Sequence, residues 1–316
     1  MKFLITAVTA ALLLFYHGPA AGRPADSAAP AADKTLSCQD PSSTLLWKVK
    51  GKHSTVYLFG SIHMGRADFY PLPEVIDSAY RKARYVVFEV DPNSLADPAV
   101  AADLQKQGML PEGQTLKDVV SKQLVDDLTR TVTGMGLPAA GFMQFRPWFI
   151  TVILSNLQML ALGYVPDQGI ELHLLQEKSK QSQILQLESI KQQLGFLQQL
   201  NGEAFLAYTL QDFNEGREKI PQMINAWRCA DQETLKNLIF EDLESANDNP
   251  EMKKLMDMLF FERDKHMAKV IRGYLENGDG DYFVTVGAGH LIGDGSIVDI
   301  LDDDYKVENM KKATSN

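Results

Sequence analysis

The chain has 316 residues, a formal net charge of −10 and a pI near 5.1. Its 31 Lys and Arg are scattered among 41 Asp and Glu rather than gathered into a stripe, which sets nucleic acid aside as a partner. Apart from one N-terminal run, no segment is long and apolar enough to span a bilayer.

That run, Phe3 to Tyr16, follows Lys2 and precedes small residues around Pro19 to Gly22, the layout of a secretory signal segment. It is shorter than the roughly 20 apolar residues that cross a membrane. Residues 1–21 are therefore expected to be removed on export, with an uncleaved N-terminal anchor as the alternative. The mature protein is then periplasmic or extracellular, with no stable membrane span. Residues 22–40, rich in Ala, Pro, Ser and Asp, read as a flexible lead-in. Folded structure is expected from about Leu45, in a domain over 41–312 long enough for one large core or two tightly joined lobes. Cys38 and Cys229 would meet an oxidising compartment in which they could pair, and two independent thiols is the alternative.

Leu45–Val49 and Thr55–Phe59 alternate apolar and polar residues around a turn at Gly51–Ser54, the pattern of a hairpin. Behind Pro71 and Pro73, Leu72–Ala83 carries apolar residues at helical spacing, and Tyr85–Phe88 follows as a short apolar strand ending at Glu89. From about Pro98 to Gly278 the pattern is mostly helical, with breaks near Gly108–Gly113, Gly134–Pro138 and Asn247–Pro250. Arg146-Pro147-Trp148 opens one of those helices, its Trp read as core. One strand, Ser182–Leu187, interrupts them and ends at Glu188. Tyr282–Val286 is again a strand, followed by a short helix over Ser296–Leu301 and a last strand near Tyr305–Val307.

The order strand, Gly-x-x-His, helix, strand thus occurs twice, at Gly60–His63 and at Gly287–His290. Two related half-units sharing one mixed sheet, with the helical middle as an insertion, is the α/β architecture this implies. A glycine closing a strand can adopt conformations other residues resist and so present the His over the sheet edge. In open α/β sheets ligands gather at the carboxyl ends of strands, where Glu89 and Glu188 also stand. Two imidazoles and a carboxylate are a common ligand set for a divalent transition metal, so His63, His290 and Glu89 are the candidate metal ligands. Glu89 is also a candidate catalytic base, and pairing with Arg263 is its structural alternative. Arg263 either stabilises developing negative charge or neutralises Glu89 or Glu188. Gly60, Gly287, Asp91, Glu171, His173 and Glu188 are candidates for supporting the site or touching substrate. A solvated or capping role is the alternative for His173, and His53 and His266 read as surface residues.

There is no His-Glu-x-x-His, Gly-x-Ser-x-Gly, Walker loop or strand-borne Gly-x-Gly-x-x-Gly. The ordered set that is present runs from Leu58-Phe59-Gly60-Ser61-Ile62-His63 through Pro71-Leu72-Pro73 and Phe88-Glu89-Val90-Asp91. It continues through Pro147-Trp148, Gly169-Ile170-Glu171, Leu187-Glu188 and Arg263 to Val286-Gly287-Ala288-Gly289-His290-Leu291. In this the chain resembles the TraB/GumN family over about residues 45–308. The resemblance implies an EreA/ChaN-like fold and kinship with the Tiki metalloproteases, with His63, His290 and Glu89 at the metal-binding and catalytic positions. Glu171 replaces the family's usual Asp, and Asp264 its usual Asn after the Arg; both keep a polar group. The function expected is an exported peptidase or related hydrolase using manganese, cobalt or zinc to activate water on a peptide or protein substrate. The alternative is a non-catalytic binder of peptide or haem in the same cleft.

Overall fold

In the computed structural model, the described residues are 38–312 apart from 41, 96, 180 and 246–249. The expected signal segment and most of the lead-in lie outside them. Six strands form one mixed sheet: β1 Leu46–Lys50, β2 Thr55–Ser61, β3 Tyr85–Phe88, β4 Gln183–Gln186, β5 Asp281–Gly287 and β6 Val307–Asn309, in the spatial order β4-β3-β5-β2-β1-β6. β4, β3, β5 and β2 run parallel to one another, and β1 and β6 complete one side with antiparallel pairings. The fold is α/β. β3 and β5 are apolar along almost their whole length because parallel strands are covered on both faces. β1 and β2 join through the expected hairpin, in register from Leu46 opposite Phe59 to Lys50 opposite Thr55.

β2 and β5 lie side by side, with Gly60 opposite Val286 and Ser61 opposite Gly287. The two Gly-x-x-His turns therefore leave the same edge of the sheet from adjacent strands. Beyond them the half-units diverge. The first turn leads through the helix Glu74–Lys82 to β3, a parallel neighbour of β5. The second leads through Ile297–Asp302 to β6, which returns antiparallel against β1.

The middle is helical, as expected, and β4 is the strand within it. Breaks appear at Gly108–Gly113 and Gly134–Pro138; the one at Asn247–Pro250 falls largely outside the described residues. Further breaks divide what reads as continuous helix. Asn201 accepts from the Ala204 N–H, starting a new helix at Gly202. Gly163, at φ 82°, turns the chain after the helix Pro147–Ala161. Trp148 is buried in the main core, as expected, while Leu124, Leu128, Ile150, Leu154 and Leu206 form a second apolar cluster among the middle helices.

Cys38 and Cys229 are joined as a disulfide, which resolves their pairing. The ordered chain accordingly begins before Leu45: Asp40 accepts from the hydroxyls of Ser42 and Ser43 and from Lys311 Nζ. Among the described residues no helix is long and apolar enough to cross a membrane.

Candidate functional site

Because β2 and β5 end together, His63 and His290 approach each other across Gly287. The Gly287 N–H donates to Glu89 Oε1 at 2.6 Å, which anchors the carboxylate at the end of β3. A Cβ added at Gly287 would stand 3.4 Å from Glu89 Oε1, 3.6 Å from His63 Nε2 and 3.7 Å from His290 Cδ2. The three candidate ligands thus surround the space that a side chain here would fill. This corrects the expected role of the glycine: Gly287 has φ −51° and ψ 137°, open to any residue, and its contribution is room. Gly60 acts similarly, since its Cβ would lie 3.1 Å from Ala288 Cα on the neighbouring turn.

His63 Nδ1 lies 2.8 Å from Glu171 Oε1, an oxygen that also accepts from the Ser61 hydroxyl. A carboxylate accepts only, so Nδ1 carries hydrogen, and Nε2, which bears the lone pair in the neutral ring, lies 3.6 Å from the Cβ position of Gly287. The helix Ile170–Glu177 reaches this position because Ile170 N–H donates to Ile62 O at 3.1 Å. Gly169 makes that approach possible, since a Cβ there would fall 2.0 Å from His63 O. Burial alone lowers the His63 pKa, but Glu171 and then Glu89 outweigh it, leaving the imidazole above its ordinary value.

His290 is held from both sides. Arg263 Nη1 is 3.1 Å from its Nε2 and Asp264 Oδ1 is 2.5 Å from its Nδ1. A guanidinium has no acceptor, so Nε2 accepts and Nδ1–H donates to Asp264. Arg263 also donates through Nη2 to Glu89 Oε2 at 2.6 Å and to Glu188 Oε2 at 2.7 Å, and through Nε to the Glu188 carboxylate. Gln193 Nε2 donates to Glu188 Oε2 at 3.1 Å and more distantly to Glu89 Oε2. Burial would raise the Glu89 pKa, but Arg263, His290, His63 and the Gly287 N–H together hold it well below the usual carboxylate range. Burial would lower the Arg263 pKa, but Glu188 and Glu89 raise it. Burial raises the Asp264 pKa, against the pull of His290.

Glu89, Glu188 and Asp264 are buried with Arg263, so carboxyl groups outnumber the guanidinium before Glu171 is counted. Glu171 Oε2 is buried without a hydrogen-bond partner among the described residues. Buried carboxyl oxygens and imidazole nitrogens are the donor types that suit a divalent transition cation. The donor types fit, with His63 Nε2 and Glu89 Oε1 turned toward the Gly287 space. Arg263, however, engages the lone pair of His290 Nε2. Consistent with that, among the described residues no group of three or more His, Cys, Asp or Glu stands in metal-holding geometry. A metal would therefore displace Arg263 from His290.

The remaining candidates are distributed as follows. Glu171 and Glu188 belong to the site. Asp91 caps the short helix that follows it, accepting from Asn93 N–H at 2.9 Å. His173 stacks on Tyr70 with ring centroids 3.9 Å apart, and its burial lowers its pKa. His53 is exposed as expected. His266, expected at the surface, is half-buried with Nε2 3.3 Å from Leu187 O, because its helix packs beside the end of β4. Arg263, weighed as a donor to developing negative charge, has its nitrogens committed to Glu89, Glu188, Leu259 O and His290. Ser61 and Gln193 take part in the site without any motif that assigns them a role, and Asp264 stands out in the sequence only as a departure from a family pattern. Adjacency to His63 and Arg263 was the available signal for Ser61 and Asp264; Gln193 had none.

Comparison with known proteins places these positions in a wider group. The sequence model of the TraB/PrgY/gumN family matches residues 45–309. YbaP of Escherichia coli K12, whose function is uncharacterised, is 27% identical over 252 residues, covering 78% of this chain and 87% of that protein. The metalloprotease TIKI2 of Xenopus tropicalis is 25% identical over 86% of this chain and 60% of its own length. The human metalloprotease TIKI1 is 24% identical over 86% of this chain and 63% of its own. No solved structure matches.

Proposed function

We propose, from the premise that the chain belongs to the TraB/PrgY/gumN family, that it is an exported hydrolase of peptide bonds. In this reading its centre is the pair of Gly-x-x-His turns and depends on a divalent metal. The observation that carries the reading is the convergence of His63 Nε2, His290 and Glu89 Oε1 about the space at Gly287. The Tiki relatives, which are metalloproteases, support a hydrolytic use of such a centre. The signal layout of residues 1–21 and the Cys38–Cys229 disulfide support export to an oxidising compartment, periplasmic or extracellular.

His63, His290 and Glu89 would hold the cation, for which manganese, cobalt and zinc are the candidates. When bound, such an ion lowers the pKa of a water and polarises the substrate carbonyl. Glu171 fixes the ring of His63 with Nε2 toward the cleft, and Asp264 fixes the tautomer of His290. Glu89, with its depressed pKa, is a weak proton acceptor near neutral pH, so it is assigned to holding positive charge. Arg263 offsets the negative charge of Glu89 and Glu188 and is a positioning residue.

The test is mass-spectrometric detection of products from a blocked peptide library, for wild type and His63→Ala, before and after chelation and after return of manganese, cobalt or zinc. Cleavage that chelation abolishes, metal restores and the variant lacks is expected. Saturable peptide binding without products under every metal condition would instead make the chain a binding protein.

A further inference from the structure

A second feature opens from the same turns. Between β2, β5 and the helices above them lies a small cleft whose lining includes His63 and Gly287. Its walls are Met64, Met159, Met223, Trp227, Leu235 and Ile239, all buried. The helix Gly216–Cys229 contributes Met223 and Trp227 and the helix Gln232–Ser245 contributes Leu235 and Ile239. Each pair is spaced i, i+4 and so shares one helix face. The Trp227 indole N–H donates to Gly60 O at 2.9 Å, which fixes its ring and leaves no indole donor for a ligand. None of these wall side chains bears a charge.

Resting on the hydrolase reading, we propose that this cleft is the specificity pocket of the site. It would receive one uncharged, apolar side chain of leucine, methionine or phenylalanine type from the peptide residue beside the bond presented to His63 and Gly287. The occupant follows from three observations. The cleft is continuous with His63 and Gly287, so a side chain seated in it keeps its own backbone at the centre. Apart from Ser61 and His63, both engaged by Glu171, its side chains give a charged group no partner, and burying an unpaired charge is costly. Three of the walls are methionines, whose unbranched thioethers fit differing apolar shapes.

The experiment uses the full metal-free chain with ¹³C-methyl-labelled methionine, its resonances assigned by single Met→Leu replacements. It is titrated with the N-acetyl methylamides of leucine, phenylalanine, alanine and glutamate. Saturable shifts of the Met64, Met159 and Met223 methyls are expected with the leucine and phenylalanine probes, with affinity about tenfold or more above alanine, and no response to glutamate. Met223→Phe, which fills the pocket, weakens the leucine probe. Shifts that miss these three methyls, or equal responses to leucine, alanine and glutamate in the wild type, overturn the proposal whatever the variant does. The same residues placed in blocked peptides separate the two readings. Apolar probes that bind here while no peptide is cut under any metal condition end the hydrolase reading and leave the pocket. Cleavage indifferent to an apolar residue, with silent methyls, ends the pocket and leaves the hydrolase.

Discussion

Arg263 shares its guanidinium between Glu89 and Glu188 while meeting His290 Nε2, so its loss strands like charges away from water. Arg263→Met is expected to lower unfolding free energy by about 3–5 kcal/mol in urea denaturation near neutral pH. A loss under about 1 kcal/mol would contradict this account of the buried charge. His63 gives a test by titration. Its folded pKa is raised, so its contribution to stability is full below about 6.5 and is lost as pH rises through the folded value. Glu89 is the opposite case: its pKa is lowered, so its contribution is full above about 4.3 and is lost as pH falls toward the folded value. In metal-free protein, NMR should show His63 titrating above 6.5, and Glu171→Gln should bring it down by removing the neighbouring negative charge. An unchanged midpoint in the variant would exclude Glu171 as the cause. At this scale the imidazoles, Glu89 and Glu188 are legible because each follows an apolar strand. Ser61, Asp264 and Gln193 enter through tertiary contacts that no spacing records, and the place of Arg263 between two glutamates and His290 is likewise tertiary.

At the level of elements, two glycines packed against the Gly-x-x-His turns make opposite predictions. A Cβ at Gly287 meets its nearest neighbour at 3.4 Å, an ordinary contact. Gly287→Ala should stay within about 1 kcal/mol of wild type in thermal melting yet lose peptide cleavage, because the methyl fills the space between the donors. A Cβ at Gly169 lies 2.0 Å from His63 O, so Gly169→Ala must push the helix Ile170–Glu177 off the first turn. It should lose both stability and cleavage. An active Gly287→Ala, or a Gly169→Ala as stable as wild type, would contradict the packing. The strands were readable to within a residue or two, since β3 and β5 are short apolar runs bounded by polar residues. Their order was not: nothing local in Thr55–Ser61 says that its parallel partner is Asp281–Gly287, more than two hundred residues on in a chain of 316. The division at Gly202 was missed because the Asn201 cap acts through a single side chain while the apolar spacing runs on.

Across the whole molecule, the disulfide ties Cys38 to Cys229 over a sequence separation of 191, and Cys229 ends the helix that carries Trp227. Cys229→Ser is expected to cost about 2–5 kcal/mol of stability, with a reducing agent doing the same to the wild type and nothing further to the variant. Equal stability of oxidised and reduced wild type would show that the crosslink constrains little. The pairing itself could not be read from the sequence, because it depends on the separation of two distant segments in the fold. The central claim is that two sequence-distant Gly-x-x-His turns make one cation-holding centre. It is tested most directly by calorimetric titration of manganese, cobalt and zinc into the metal-free chain, alongside His63→Ala and His290→Ala shown to be folded by circular dichroism. One ion per wild-type chain is expected, and its loss in both variants. Undiminished binding in either variant, or no binding of any of the three metals to the wild type, would contradict it.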